Sequence, residues 1–139
     1  MFGSRLFVAF VARTALAQSV QIGLPDAGTV LNPGEDYTVQ IQCPDSLTSS
    51  QEVALVIGIQ QCQNGHCFPP DETLGNLLYS GSFNPQFHEP SLPPYQNFTV
   101  HIPDTMSSES ALVGVAHFAL VGDSFAPLID YHNQSVSIA

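Results

Sequence analysis

Two long apolar segments constrain the fold of this chain more strongly than any other feature of its sequence. Residues 52–60 and 111–121 are apolar almost throughout, are rich in β-branched side chains, and are each followed by turn-forming residues. The composition of residues 52–60 is typical of a central strand that is buried on both faces, and residues 111–121 predict a second long apolar strand. We therefore expect a protein built from sheets, with residues 52–60 as a central strand.

The shorter segments around them also indicate strands. Tyr37, Val39 and Ile41 alternate with polar residues, which places the three on one face of a half-buried strand. No segment has a convincing helical period, and Gly, Pro and Asn separate the strand-like stretches. We predict an all-β chain folded as an immunoglobulin-like β-sandwich of about seven strands. Further strands are expected at residues 20–22, 73–83, 97–102 and 131–138, and residues 29–31 are expected to continue the edge that begins at residues 20–22.

The distribution of charge excludes several classes of function. The only two basic residues, Arg5 and Arg13, lie near the N-terminus, whereas all 12 acidic residues lie between Asp26 and Asp130. Beyond residue 17 no basic patch can hold nucleic acid or an anionic membrane, and no lysine can form a Schiff base. Without cations to pair with, the carboxylates should repel one another, which predicts raised carboxyl pKa values and lower stability as the pH rises through about 4 to 6.

The N-terminus resembles a secretory signal peptide. Arg5 precedes a compact apolar run at residues 6–12, and the small residues Ala15 and Ala17 flank a cleavage site that would release a chain starting at Gln18. The run is much shorter than the roughly 20 residues of a transmembrane helix. We therefore predict a signal peptide at residues 1–17 and one secreted, extracellular domain at residues 18–139.

The three cysteines predict one disulfide. Cys62 and Cys67 bracket a short loop that contains Asn64-Gly65, a strong tight-turn dipeptide. In a secreted chain this spacing favours a Cys62–Cys67 bond, with Cys43–Cys62 and Cys43–Cys67 as the alternatives. Cys43 is then expected either to be a buried thiol at a strand end or to bridge to another chain.

Two sequons predict N-linked glycosylation. Asn97-Phe98-Thr99 and Asn133-Gln134-Ser135 both fit the acceptor pattern, and both fall on predicted polar faces of strands. We predict that Asn97 and Asn133 are candidate acceptors in a secreted chain.

The sequence offers no catalytic, cofactor or metal site. The five histidines are not at metal-ligand spacing, and we interpret them as solvent-exposed or locally hydrogen-bonded side chains. Most of the acids fall in predicted turns, and nothing in the sequence pairs any two of them in the way that an acid-dependent hydrolase requires. We predict that the protein is not an enzyme.

A proline-rich loop is the most plausible interaction surface. Residues 84–95 contain four prolines and cannot form a central strand. The loop region carries four large apolar side chains, which either bind a partner or fold back as a lid over the sandwich. An extracellular carbohydrate- or cell-wall-binding module is the alternative that exposed aromatic residues would support. The four candidate interaction residues are Phe83, Phe87, Leu92 and Tyr95.

An ordered set of short motifs is distributed along most of residues 18–139. The motifs are Pro33-Gly34, residues 51–59, residues 73–75, residues 97–103, residues 114–122 and residues 133–136. In this order and spacing the chain resembles the Nis1 family of small secreted fungal proteins. The resemblance implies a non-enzymatic, immunomodulatory effector that enters the plant apoplast. It also implies that the protein partners are host receptor-associated kinases and that the protein suppresses pattern-triggered immunity.

Overall fold

A computed structural model describes residues 19–44 and 50–139 of the chain. Within these residues there are eight strands and no helix, and none of the described segments is a helix long and apolar enough to cross a membrane. The predicted signal peptide and its cleavage site lie outside the described residues. The strands are β1 (Gln21–Leu24), β2 (Val30–Leu31), β3 (Asp36–Gln42), β4 (Ser50–Gln61), β5 (Asn76–Gly81), β6 (Tyr95–His101), β7 (Ser110–Val121) and β8 (Ala126–Ile138).

The strands form two sheets, which confirms the predicted all-β sandwich. One sheet has three strands in the order β1-β3-β6, and the other has five in the order β2-β8-β7-β4-β5. All pairings are antiparallel except the short pairing of β2 with β8. The strand count exceeds the expected number of about seven, because Val30–Leu31 forms a short edge strand of its own.

The two long apolar segments are β4 and β7, and they pair at the centre of the five-stranded sheet. Their inward side chains, such as Ile57 and Val115, are fully buried. They pack against the inward face of the smaller sheet, where Val39 and Ile41 are also buried. Burying apolar area of this kind contributes about 25 cal/mol per Å², so these central strands supply much of the folding free energy.

Glycines interrupt β4 and β7 where the β4–β5 connection lies over the outer face of the large sheet. A Cβ atom at Gly58 would lie 2.4 Å from the carbonyl oxygen of Leu74, and one at Gly114 would lie 3.0 Å from Leu74 Cδ2. A glycine inside a strand commonly marks such a close approach. Leu74 and Pro70 of this connection therefore cover the face at Gly58 and Gly114.

Strand β8 begins five residues before the predicted start at residue 131. It pairs with β7 along its whole length, from Ala126 opposite Val121 to Ser137 opposite Ser110. β2 pairs with β8 only at Ser137 and Ile138, so Pro127 lies on a free edge of the sheet, where proline is tolerated because its missing N–H faces away from the ladder. The early start places Asp130 within the sheet.

The predicted disulfide is confirmed, since Cys62 and Cys67 are bonded. Asn64 and Gly65 between them have φ angles of 53° and 75°, which is the left-handed backbone that a tight hairpin turn requires. Cys43 follows β3, is half-buried, and packs against the core.

Candidate functional site

A buried histidine lies at the centre of the large sheet. His117 is on β7, its inward side chain is 0% exposed, and its register partners are Leu55 on β4 and Asp130 on β8. Glu52, near the start of β4, lies on the same inward face, just before a bulge in the pairing of β4 with β7. Three neighbouring strands thus bring two carboxyl groups to one imidazole ring.

Both nitrogens of this ring contact a carboxylate. His117 Nδ1 lies 2.7 Å from Asp130 Oδ1, and His117 Nε2 forms a very short contact with Glu52 Oε2. A neutral imidazole has only one N–H to donate, whereas an imidazolium has two. His117 is therefore an imidazolium that donates to both carboxylates.

Asp130 links this ring to two further groups. Its Oδ2 accepts a hydrogen bond from His132 Nε2 at 2.8 Å and one from the backbone N–H of Val20 at 3.3 Å. We call Glu52, His117, Asp130 and His132 the buried charge cluster. The cluster joins β4, β7 and β8 and fastens the residue that precedes β1 to the large sheet.

The cluster shifts the pKa of two of its members in opposite directions. Burial lowers the pKa of His117, but the hydrogen bonds to Asp130 and Glu52 and their negative charges outweigh it and raise the pKa from 6.5 to about 9. Burial raises the pKa of Asp130, but the hydrogen bonds from His117 and His132 outweigh it and lower this pKa below its ordinary value. For Asp130 the shift is opposite to the one expected from repulsion among unpaired carboxylates.

The surroundings of His117 leave it no accessible reactive atom. Phe83 contacts the ring edge-on, with ring centroids 5.7 Å apart, and both nitrogens are already engaged. A general base must reach a proton of the substrate within hydrogen-bond distance, which His117 cannot do here. Among residues 19–44 and 50–139, no group of three or more His, Cys, Asp or Glu side chains is arranged to hold a metal ion.

Glu52 connects the buried charge cluster to the surface. Its side chain is 18% exposed and lies in the wall of a surface cavity of about 260 Å³. We call this the Glu52 cavity. Its other described lining residues are Cys43, Pro44, Ser50, Asn84, Pro85 and Pro94.

The four candidate interaction residues are in different environments. Phe83 is in the core beside Phe98, and Tyr95 is buried under His88, whose ring stacks on it at 4.1 Å. Leu92 is half-buried, whereas Phe87 is 68% exposed. Phe83 and Tyr95 therefore fold back onto the sandwich, whereas Phe87 faces solvent. A partner-binding role of the loop stays a prediction.

The two sequon asparagines lie on opposite sheets. Asn97 is exposed on β6 in the small sheet, and Asn133 is exposed on β8 in the large sheet. Both positions are open to solvent, and glycosylation of either one stays a prediction.

The outer face of the large sheet carries exposed apolar side chains. Ile129 and Tyr131 on β8 are 56% and 43% exposed. Because strand residues alternate between faces, these two lie opposite to Asp130, and their register partners on β7 are Phe118 and Ala116. The register extends this apolar patch from β8 across β7 to β4. We call the patch the outer apolar face, and none of its members is charged. Its members are Ala54, Val56, Ala116, Phe118, Leu120, Ile129 and Tyr131.

Sequence reasoning missed the buried charge cluster. We had interpreted the histidines as exposed or locally bonded, which is wrong for His117, and we had found no reason to pair Glu52 with Asp130. The available signal was the position of His117, which interrupts a long apolar strand. A polar residue buried in this way needs hydrogen-bond partners, so it should have prompted a search for them among the acids that fall on strands rather than in turns.

Comparison with protein families finds one match that covers most of the chain. A family model described as Nis1 family matches residues 15–137. The curated protein sequences contain no significant match.

Solved structures share the architecture at very low sequence identity. A superoxide reductase (neelaredoxin) from Ignicoccus hospitalis is 10% identical with a TM-score of 0.52, and the match covers 88% of this chain and 81% of that one. A cellulose-active polysaccharide monooxygenase from M. thermophila is 12% identical with a TM-score of 0.45, and the match covers 81% of this chain and 54% of that one. At this identity the likeness to the reductase supports the sandwich fold alone.

Proposed function

The chain belongs to the Nis1 family, whose members are fungal effector-like proteins, and on this premise we propose that it is a secreted, non-enzymatic effector that acts by binding a host protein. The proposed partners are host receptor-associated kinases, and the proposed effect is suppression of pattern-triggered immunity. Family membership supports the effector character, and the binding mode is argued below from the structure.

The outer apolar face is the observation that carries a binding function. Exposed apolar residues scattered singly are normal on proteins, but contiguous ones mark interaction surfaces. Here Ile129, Tyr131 and Phe118 are neighbours on two paired strands, and no charged residue separates them. Tyrosine at such a position supplies a large apolar contact area at a low cost in conformational entropy.

The charge of the chain defines what kind of protein this face fits. No lysine or arginine occurs after Arg13, so any charged side chain of residues 18–139 that borders the face near neutral pH is a carboxylate or a histidine. Complementary potentials speed association and suppress wrong partners. The fitting partner is a protein with an apolar patch that is bordered by basic residues.

The interior of the protein supports a non-enzymatic role. The strongly perturbed pKa of His117 would ordinarily point to a catalytic group. In this protein the ring is sealed between two carboxylates and Phe83. The perturbation is explained by ion pairing that fastens three strands together.

Secretion is part of the proposal and has two supports. Residues 1–17 have the pattern of a signal peptide, and the Cys62–Cys67 disulfide suits an oxidising extracellular environment. Expression of the full chain in a fungal host should yield a product in the medium that begins at Gln18, as determined by N-terminal mass spectrometry.

The experiment is a binding assay of residues 18–139 with host receptor-kinase ectodomains and kinase domains, coupled to a host oxidative-burst assay. We expect saturable binding, which Ile129→Glu and Tyr131→Glu weaken at least tenfold because each buries an unpaired charge in the contact. The matched control is Thr38→Glu, which adds the same charge at an exposed position on the small sheet. Absence of saturable binding together with an unchanged oxidative burst would refute the proposal.

A further inference from the structure

We propose that the Glu52 cavity is a binding site for a cationic side chain, an alkyl ammonium or guanidinium group, that a partner protein inserts. This inference rests on the proposed protein-binding function and adds a specific contact to it. The cavity is separate from the outer apolar face, because Glu52 points inward whereas that face points outward.

The first support is the balance of charge behind the cavity. The imidazolium of His117 donates to two carboxylates, Glu52 and Asp130. Glu52, His117 and Asp130 therefore place two negative charges against one positive charge. Buried charges are costly unless they are paired, and the chain after Arg13 supplies no lysine or arginine that could neutralise the excess.

The second support is the position of a carboxylate oxygen that, among the described residues, accepts only one weak contact. Glu52 Oε2 is engaged by His117, whereas Glu52 Oε1 has the Cys43 sulfur at 4.0 Å, which is a weak contact. A carboxylate oxygen has two lone pairs. Because Glu52 is the cluster member that lines the cavity, its Oε1 offers acceptor capacity to a donor that enters there.

The third support is the composition of the walls. Pro44, Pro85 and Pro94 provide rigid apolar surface, and Ser50 and Asn84 add polar groups. Lysine and arginine bind such surroundings with their methylene stems against apolar walls and their charged ends at a polar group. An apolar wall with one carboxylate therefore matches both parts of these side chains.

The fourth support is size. The cavity volume of about 260 Å³ lies just below the range of about 300–1,000 Å³ that is usual for sites of drug-sized ligands. It suits a single side chain better than a whole cofactor or an oligosaccharide.

The test uses small probes that do not depend on the host partner. N-acetyl-arginine methylamide is titrated into ¹⁵N-labelled residues 18–139, and N-acetyl-citrulline methylamide serves as the neutral isostere. We expect saturable shifts of the amide signals of Ser50, Glu52 and Asn84 with the arginine probe and none with citrulline. Spermidine forms the second arm: equal or tighter binding of spermidine identifies a free polyamine as the source of the cation and overturns the assignment to a protein side chain.

Substitutions distinguish binding at the Glu52 cavity from diffuse attraction of a cation to the acidic chain. Glu52→Gln should weaken arginine binding about tenfold or more, which corresponds to about 1.4 kcal/mol. Ser50→Phe should occlude the cavity without touching the buried charge cluster, which keeps the test valid if Glu52→Gln unfolds. The matched control Glu72→Gln removes an exposed acid that does not line the cavity and should leave binding unchanged.

Three further results would overturn the inference, and all three differ from failure of the proposed function. Citrulline binding as well as arginine shows that charge is not recognised. An equal loss of affinity in Glu52→Gln and Glu72→Gln shows diffuse attraction to a polyanion. Host-protein binding that survives Ser50→Phe would leave the effector role standing and refute this site alone.

Discussion

Replacing His117 by glutamine should destabilise the fold severely, because it removes the cation that separates Glu52 from Asp130. A rise in pKa from 6.5 to about 9 means that the folded state favours the charged ring by about 3 kcal/mol. Breaking a buried ion pair by removing one partner costs about 3–5 kcal/mol, which agrees with this figure. Whole domains are stable by only about 5–15 kcal/mol, so the loss is a large fraction of the total.

The same interaction sets the pH dependence of the wild-type protein. Because the pKa of His117 is raised in the folded state, its contribution is fully present below pH 6.5 and is lost as the pH rises to about 9. The pKa of Asp130 is lowered, so its contribution is present above about pH 4 and is lost on acidification. These two groups together give greatest stability between about pH 4 and 6.5.

The assay is urea denaturation of residues 18–139 at constant ionic strength, from about pH 6 to about pH 9.5, where most of the 3 kcal/mol should disappear. His117→Gln should be less stable at pH 6 and should lose this slope. His66→Gln, which changes an exposed histidine, is the control and should keep it. A wild-type stability that stays flat over this range, or a slope that persists in His117→Gln, would show that His117 is not a buried imidazolium.

Further predictions concern packing, modification and the alternative function. Gly58→Ala should cost about 1–3 kcal/mol in urea denaturation, because its Cβ would meet the Leu74 carbonyl oxygen at 2.4 Å. Ile57→Ala should cost about 2–5 kcal/mol in the same assay, because the side chain is fully buried. Glycosidase treatment of the secreted protein should lower its mass, and Asn97→Gln and Asn133→Gln should each remove part of that change. In affinity electrophoresis on chitin, glucan and xylan we expect no retardation; retardation of this chain would favour the wall-binding alternative.

Local pattern was sufficient to predict much of the fold. The alternation at Tyr37, Val39 and Ile41 and the apolar runs of β4 and β7 depend on neighbours in the chain, so they are readable from sequence. The Cys62–Cys67 bond was predictable for the same reason, because a tight turn brings the two residues together. The early start of β8 was missed, because the tolerance of Pro127 depends on its place at a sheet edge.

The candidate site was not predictable from local pattern. Glu52 and Asp130 reach His117 from strands that are distant in sequence, and their pairing depends on strand order in the sheet. A single bulge after Glu52 sets the register beside His117, and shifting a register by one residue moves a side chain to the opposite face. No composition or spacing rule specifies that bulge.

The enclosure of the His117 imidazolium has a consequence for how the protein moves through its surroundings. With this cation inside, the outward-facing fixed charges of residues 19–44 and 50–139 are carboxylates, accompanied by exposed histidines. A surface of one sign keeps copies apart and avoids other polyanions, and it is attracted to polycations. The protein should therefore diffuse unhindered through acidic polysaccharide gels and be retained by amino-sugar polymers such as deacetylated chitin, so its range would be set by the charge of the matrix that it crosses.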